Sequence, residues 1–168
     1  MTFDEIVRSR RSIRRYQSKP VPPEALQQIL ETARLGPSSH NYQNWHFTVV
    51  QNAGTREKLM EACNGQKYVG EAPAVLVVWF PEERMMTCGR SSPSVDGAIA
   101  MTLMMLKATE LGLGTCWLAN FRADAVAEVL GLPAGAVVVT VSPLGYPDEA
   151  PEPRPRKTFQ EVADIRDA

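Results

Sequence analysis

Leu111-Gly112-Leu113-Gly114-Thr115-Cys116-Trp117 decides between two folds. Helical patterns alternate with apolar runs along this chain, and such alternation ordinarily argues for a doubly wound parallel sheet. A dinucleotide-binding version of that fold would place its glycines after a strand, where they open a helix beneath a pyrophosphate. Here Gly112 and Gly114 follow a long helical pattern and precede a strand-like stretch over Thr115–Leu118. They close a helix instead, and the fingerprint is missing.

Working outward, Ala74–Phe80 is a continuous apolar run of strand length, which predicts burial on both faces and a central place in a sheet. Phe47–Val50 and Ala136–Leu144 read as further strands. Phe3, Ile6 and Val7 mark a first helix ending near Arg10 or Arg11. A second starts at Pro22-Pro23, carries its apolar stripe on Leu26, Ile29, Leu30 and Ala33, and stops at Gly36-Pro37. Thr55–Cys63 and Asp124–Leu130 are helical. A long helix runs from about Ser94 to Leu111, with Ser94 or Asp96 as its cap and Met101, Met104 and Met105 as core packing. From Tyr146 onward, prolines at 147, 151, 153 and 155 predict an extended C-terminal arm over 146–168, laid on another surface.

Composition excludes several classes of function. At 168 residues, a chain buries roughly 70% of its unfolded surface, enough for one domain over 1–168 without staples. The formal net charge of -1 removes the long-range pull of a nucleic-acid binder. No apolar run approaches the ~20 residues of a membrane span, and the acidic start does not read as a signal peptide, so a cytoplasmic protein is expected. Three widely spaced cysteines, Cys63, Cys88 and Cys116, give no disulfide framework, and His40 and His46 lack the acidic company of a metal site.

Two segments carry chemistry. Arg8-Ser9-Arg10-Arg11-Ser12-Ile13-Arg14-Arg15-Tyr16 concentrates guanidinium forks that match phosphate oxygens, with Ser12 as a short hydroxyl donor. The alternative is a solvated basic helix end. Pro37-Ser38-Ser39-His40-Asn41-Tyr42-Gln43-Asn44-Trp45-His46-Phe47 is richer in amides and hydroxyls than chain reversal needs, and suits the polar edge of a planar ligand; the alternative is a polar surface loop with Trp45 and Phe47 dipping into the core.

Together these segments resemble the nitroreductase family of flavin-dependent oxidoreductases. The R-R-S-x-R element is Arg10-Arg11-Ser12-Ile13-Arg14, followed by Tyr16 and Pro20-Val21; the P-S-S-x-N-x-Q-P-W element is matched from Pro37 to Trp45 except at Asn44, where proline is usual. Val95-Asp96-Gly97-Ala98-Ile99-Ala100, Leu111–Trp117, Leu144-Gly145-Tyr146-Pro147 and a Pro-Arg-Pro-Arg-Lys tail at 153–157 continue the likeness in family order.

The resemblance implies an α+β fold, a mostly antiparallel central sheet flanked by helices, in an intertwined homodimer that binds flavin mononucleotide (FMN) at its interface. It implies that Arg10, Arg11, Ser12 and Arg14 contact phosphate, ribityl chain and pyrimidine edge. Arg154 and Arg156 would complete the phosphate clamp, carried by a tail that crosses to the partner. Asn64 and Lys67 would approach the pyrimidine edge. Pro37, Ser38, Ser39 and Asn41 would come from the other subunit, and Ala119 and Asn120 would place an amide near the reactive flavin nitrogen, where many relatives have Glu-Gly or Gly-Ala. The implied reaction takes a hydride from NADH or NADPH through the flavin to a small electron-poor acceptor such as a nitroaromatic or quinone, in ping-pong fashion, with no protein nucleophile. The short 81–93 segment implies a pocket that is either open or covered by the partner. The rival reading is a flavin-binding or regulatory module that does not turn over.

Overall fold

A computed structural model of the protein describes residues 1–166. In chain order its elements are α1 (Phe3–Ser9), α2 (Pro23–Arg34), β1 (His46–Val50), α3 (Ala53–Ala62), α4 (Lys67–Glu71), β2 (Ala74–Phe80), α5 (Ser92–Glu110), β3 (Gly114–Thr115), α6 (Ala123–Leu130), β4 (Val137–Gly145) and α7 (Phe159–Val162). The sheet has the order β1-β2-β4-β3, and all three pairings are antiparallel.

Strand β2 is central, as its apolar run requires. Successive side chains of a strand point to opposite faces. Ala74, Leu76, Val78 and Phe80 face one apolar cluster, built with Ile29 and Ala33 of α2 and with Ala100, Met101, Met104 and Met105 of α5. Val75 and Val77 face a second, with Leu59 and Ala62 of α3 and Val126 of α6. Helix α5 lies so close to the sheet that a Cβ on Gly97 would meet Val139 Cγ1 at 2.9 Å.

Several boundaries differ from expectation. Helix α5 is capped by Ser91, whose side chain accepts from the Ser94 backbone, and neither Ser94 nor Asp96 is the cap. Strand β3 spans two residues, with Leu118 joined to Val141 by an isolated bridge, because Cys116 and Trp117 leave the ladder. Helix α4 is an addition: five residues containing Gly70 give no readable period. The arm is not extended throughout, since a capping box between Thr158 and Glu161 starts α7. No helix among the described residues is long and apolar enough to cross a membrane.

Candidate active site

The basic cluster leaves α1 as an extended strand-like segment. Ile13 donates its backbone N–H to Thr115 O at 2.9 Å, and Ser12 pairs in parallel with Thr115 beside β3. Ile13 is buried against Gly114, where a Cβ would meet Ile13 Cγ1 at 2.6 Å. With Ile13 fixed inward, the two-residue period turns its neighbours Ser12 and Arg14 to the opposite side.

The arm then lies back on this segment. Gln17 N donates to Tyr146 O and Asp148 N to Arg15 O, each at 2.9 Å. Arg14 N donates to Glu149 Oε1 at 2.5 Å, and Arg11 Nε to Pro151 O at 3.2 Å. Between the two strands of chain is a cavity of about 580 Å³ whose lining includes Arg8, Arg10, Arg11, Ser12, Arg14, Arg154 and Arg156, with Glu152 as its one acidic residue. Arg154 and Arg156 therefore reach the basic cluster within their own chain. The tail does not need to cross to a partner to deliver them, because residues 146–151 are tied down beforehand.

Two thiols, Cys63 and Cys116, are buried, and Cys116 lies close to the arginine cluster. Burial raises the Cys116 thiol above its ordinary value, against the opposing pull of Arg14, the Ser12 side chain and Arg10. Burial also pushes Cys63 up to about 11. The Tyr16 phenol donates to Ile13 O at 2.6 Å and is held far above the ordinary phenol range, again by burial first.

A second group of predicted residues meets nearby. The Arg14 guanidinium lies 6.0 Å from the Tyr68 ring centre on α4. Asn64, in the left-handed region at φ 55°, donates from Nδ2 to Asn120 Oδ1 at 2.8 Å. Gln66 Nε2 donates to Asn120 O at 2.8 Å, and Tyr68 OH hydrogen bonds Gln66 Oε1. Asn64, Lys67, Ala119 and Asn120 are all exposed, so the clasp is open to a ligand. Sequence reading missed Gln66, which lies between the paired positions Asn64 and Lys67, and Tyr68, which directly follows Lys67; both were readable as part of one polar turn.

The loop after α2 is a separate construction. His40, Asn41 and Gln43 adopt left-handed φ of 49°, 57° and 53°, a conformation that costs a non-glycine residue ~1–2 kcal/mol. The geometry is braced from outside. Asp96 of α5, only 3% exposed, accepts the Ser39 N–H on both carboxylate oxygens at 3.1 Å and the Ser92 hydroxyl at 3.0 Å. Ser38 Oγ accepts from Gln43 N at 3.1 Å, and Ser39 Oγ donates to Met86 Sδ at 2.8 Å. Arg84 stacks on Tyr42 with its guanidinium carbon 3.6 Å from the ring centre. Asn41 keeps an exposed side chain, while the Ser39 N–H is spent internally. No hydrogen bond among the described residues joins this loop to the arginine cluster, and none of the loop's residues lines the arginine cavity. Among the same residues, no group of His, Cys, Asp or Glu side chains is placed to hold a metal.

An α+β fold with a guanidinium-lined cavity beside an exposed amide clasp defines a class of protein that binds a phosphorylated planar ligand. The Nitroreductase family profile matches residues 7–83 and 64–146, and the chain belongs to that family. An NADH dehydrogenase of Thermus thermophilus is 31% identical over 91% of this chain and 90% of its own. A nitroreductase family protein of Clostridium difficile superposes with a TM-score of 0.87 at 29% identity, covering 100% of both chains. The NADPH:FMN oxidoreductase of Vibrio harveyi, solved in complex with NAD+, superposes with a TM-score of 0.89 at 28% identity over 99% of this chain and 77% of the other.

Proposed function

We propose that this protein is an FMN-dependent NAD(P)H oxidoreductase of one domain, working as a homodimer on a small electron-poor acceptor such as a nitroaromatic or quinone. The observation that carries the reading is the cavity with six arginines, Ser12 and a single carboxylate. Guanidinium forks of that number answer a phosphate dianion. FMN joins a phosphate to a planar amphipathic ring, and the exposed clasp of Asn64, Lys67 and Asn120 beside Arg14 supplies the polar edge that such a ring needs.

A flavin held here would supply hydride chemistry between NADH or NADPH and the acceptor, in a ping-pong cycle. The chain's own residues do the rest. Arg10, Arg11, Arg14, Arg154 and Arg156 hold the phosphate, and Ser12 donates beside them. Lys67 places positive charge at the ring edge, where negative charge accumulates on reduction. Asn64, with Nδ2 donating to Asn120, would have its carbonyl oxygen left to accept from a ring N–H.

Supporting a dimer is the incompleteness of the site within one chain. The loop at Pro37, Ser38, Ser39 and Asn41 is built and braced, with Pro37 and Asn41 exposed, yet none of it lines the clamp's cavity, so it serves the partner's flavin. The arm carries Phe159, Val162 and Ile165 at 62%, 67% and 79% exposure. An apolar groove of about 490 Å³ with Leu26, Leu30, Phe47 and Val49 in its lining runs along α2 and the edge strand β1, a receptacle of matching character on a second copy.

The absorbance spectrum tests this reading. The purified protein is expected to be yellow, or to become so with FMN, and to bleach with NADH or NADPH and recover with a quinone. A fully flavinated sample that neither nucleotide reduces would overturn it.

A further inference from the structure

We propose that Asp96 is a positioning residue that acts across the dimer: from the first turns of α5 it fixes the flavin-facing loop of its own chain for the cofactor of the other. The inference rests on the two-chain flavin site proposed above. Asp96 is a buried carboxylate that touches neither the arginine cavity nor the amide clasp. Its oxygens accept the Ser39 N–H and the Ser92 hydroxyl at 3.0–3.1 Å. That places a charge-assisted bond on the backbone of the residue immediately before His40 and Asn41, the first two of three left-handed residues in the loop.

The brace has a direct consequence for which groups a ligand can use. With the Ser39 N–H spent on Asp96 and its hydroxyl proton on Met86, Ser39 offers lone pairs only. Ser38 Oγ accepts from Gln43 N and so keeps its own proton to donate. Asn41 keeps both ends of its amide. Removing the carboxylate returns a donor to Ser39 and frees the backbone to leave its strained conformation, which scrambles this pattern without touching the arginines.

The test pairs two lesions in mixed dimers. Asp96→Ala homodimers, with unchanged circular dichroism and dimeric mass, are expected to bind FMN roughly tenfold to hundredfold more weakly. Asp96→Asn keeps one acceptor and is expected to fall between Asp96→Ala and the parent. Arg10→Ala/Arg14→Ala homodimers also bind poorly. In a tandem-tagged mixed dimer of one Asp96→Ala chain and one Arg10→Ala/Arg14→Ala chain, one site receives intact arginines from the first and an intact loop from the second. One flavin per dimer should then bind with parental affinity.

Parental affinity in Asp96→Ala would overturn the positioning role; should that variant fail to fold, parental affinity in Asp96→Asn would do the same. A mixed dimer with no tight site would show that the loop acts within its own chain. A parent protein that takes up no FMN would instead remove the underlying reading of the site.

Discussion

The two halves of the site are held in opposite ways. The clamp around Arg10–Arg14 is closed by its own chain, with the arm hydrogen bonded along the N-terminal segment and Arg154 and Arg156 brought into the same cavity. The loop over Pro37–Asn44 is braced by Asp96 on one side and by Met86 and Arg84 on another, and contributes no residue to that cavity. The clamp is thus a chelate formed by two distant segments, sensitive to the arm. The loop is a rigid display, sensitive to what lies under it.

The largest expected effect breaks the clamp alone. Removing residues after Tyr146 should abolish tight FMN binding and loosen the dimer, seen together by light scattering and flavin titration. Arg154→Ala with Arg156→Ala removes two charge-assisted contacts of about 1.5–3 kcal/mol each, weakening FMN affinity by roughly two to four orders of magnitude. Riboflavin, lacking the phosphate, should bind these variants and the parent alike. An equal loss for riboflavin would mean that the arginines do not read phosphate.

Next in size is a lesion in the clamp's support. Gly114→Ala sets a Cβ 2.6 Å from Ile13, and overpacking of this kind costs about 1–3 kcal/mol. A lower Tm is expected, with weaker FMN binding because Ile13 carries Ser12 and Arg14 on either side. An unchanged Tm would show that the parallel pairing yields freely.

On the loop side, Tyr42→Leu removes the stack with Arg84, worth about 0.5–1 kcal/mol at an exposed position. Thermal melts should register a small loss, and FMN affinity should barely change while Asp96 stays in place.

The smallest perturbation is chemical. Cys88 sits exposed in the 81–93 segment beside the loop, whereas Cys63 and Cys116 are buried. A thiol reagent on the native protein at pH 8 should modify one cysteine quickly. Burial pushes Cys63 up to about 11 from an ordinary 9.0, so it stays protonated through pH 9 and its protection should persist there. In an unfolded chain the same thiol loses its proton near 9, and folding stability should fall as pH rises from about 9 to 11. Rapid modification of a second thiol would show that the clamp side opens.

Much of this was readable in the sequence because it depends on local pattern. The apolar run of β2, the stripe of α2 and the glycines closing α5 each declare an element within a few residues. The two polar segments stood out because neither a turn nor a helix end requires their chemistry. The unread parts depend on residues far apart. Asp96 looks like a cap from its neighbours alone, and only the packing of α5 under the loop makes it a brace for Ser39. Glu149 and Pro151 look like linker, and only the return of the arm beside Arg14 and Arg11 gives them partners. Helix α4 was too short to show a period, and its Tyr68 joins the site through Arg14 and Gln66.

The clamp's two walls are 140 residues apart at Arg11 and Pro151. Synthesis runs from the N-terminus and domains acquire structure as they emerge. A nascent chain therefore displays Arg10–Arg14 well before it gains the opposite wall of the cavity, which follows 140 residues after Arg11. Cofactor loading is expected only once Pro151–Arg156 have emerged, and a message cut short between the codons for Gly145 and Pro151 is expected to yield the sheet without a grip on flavin.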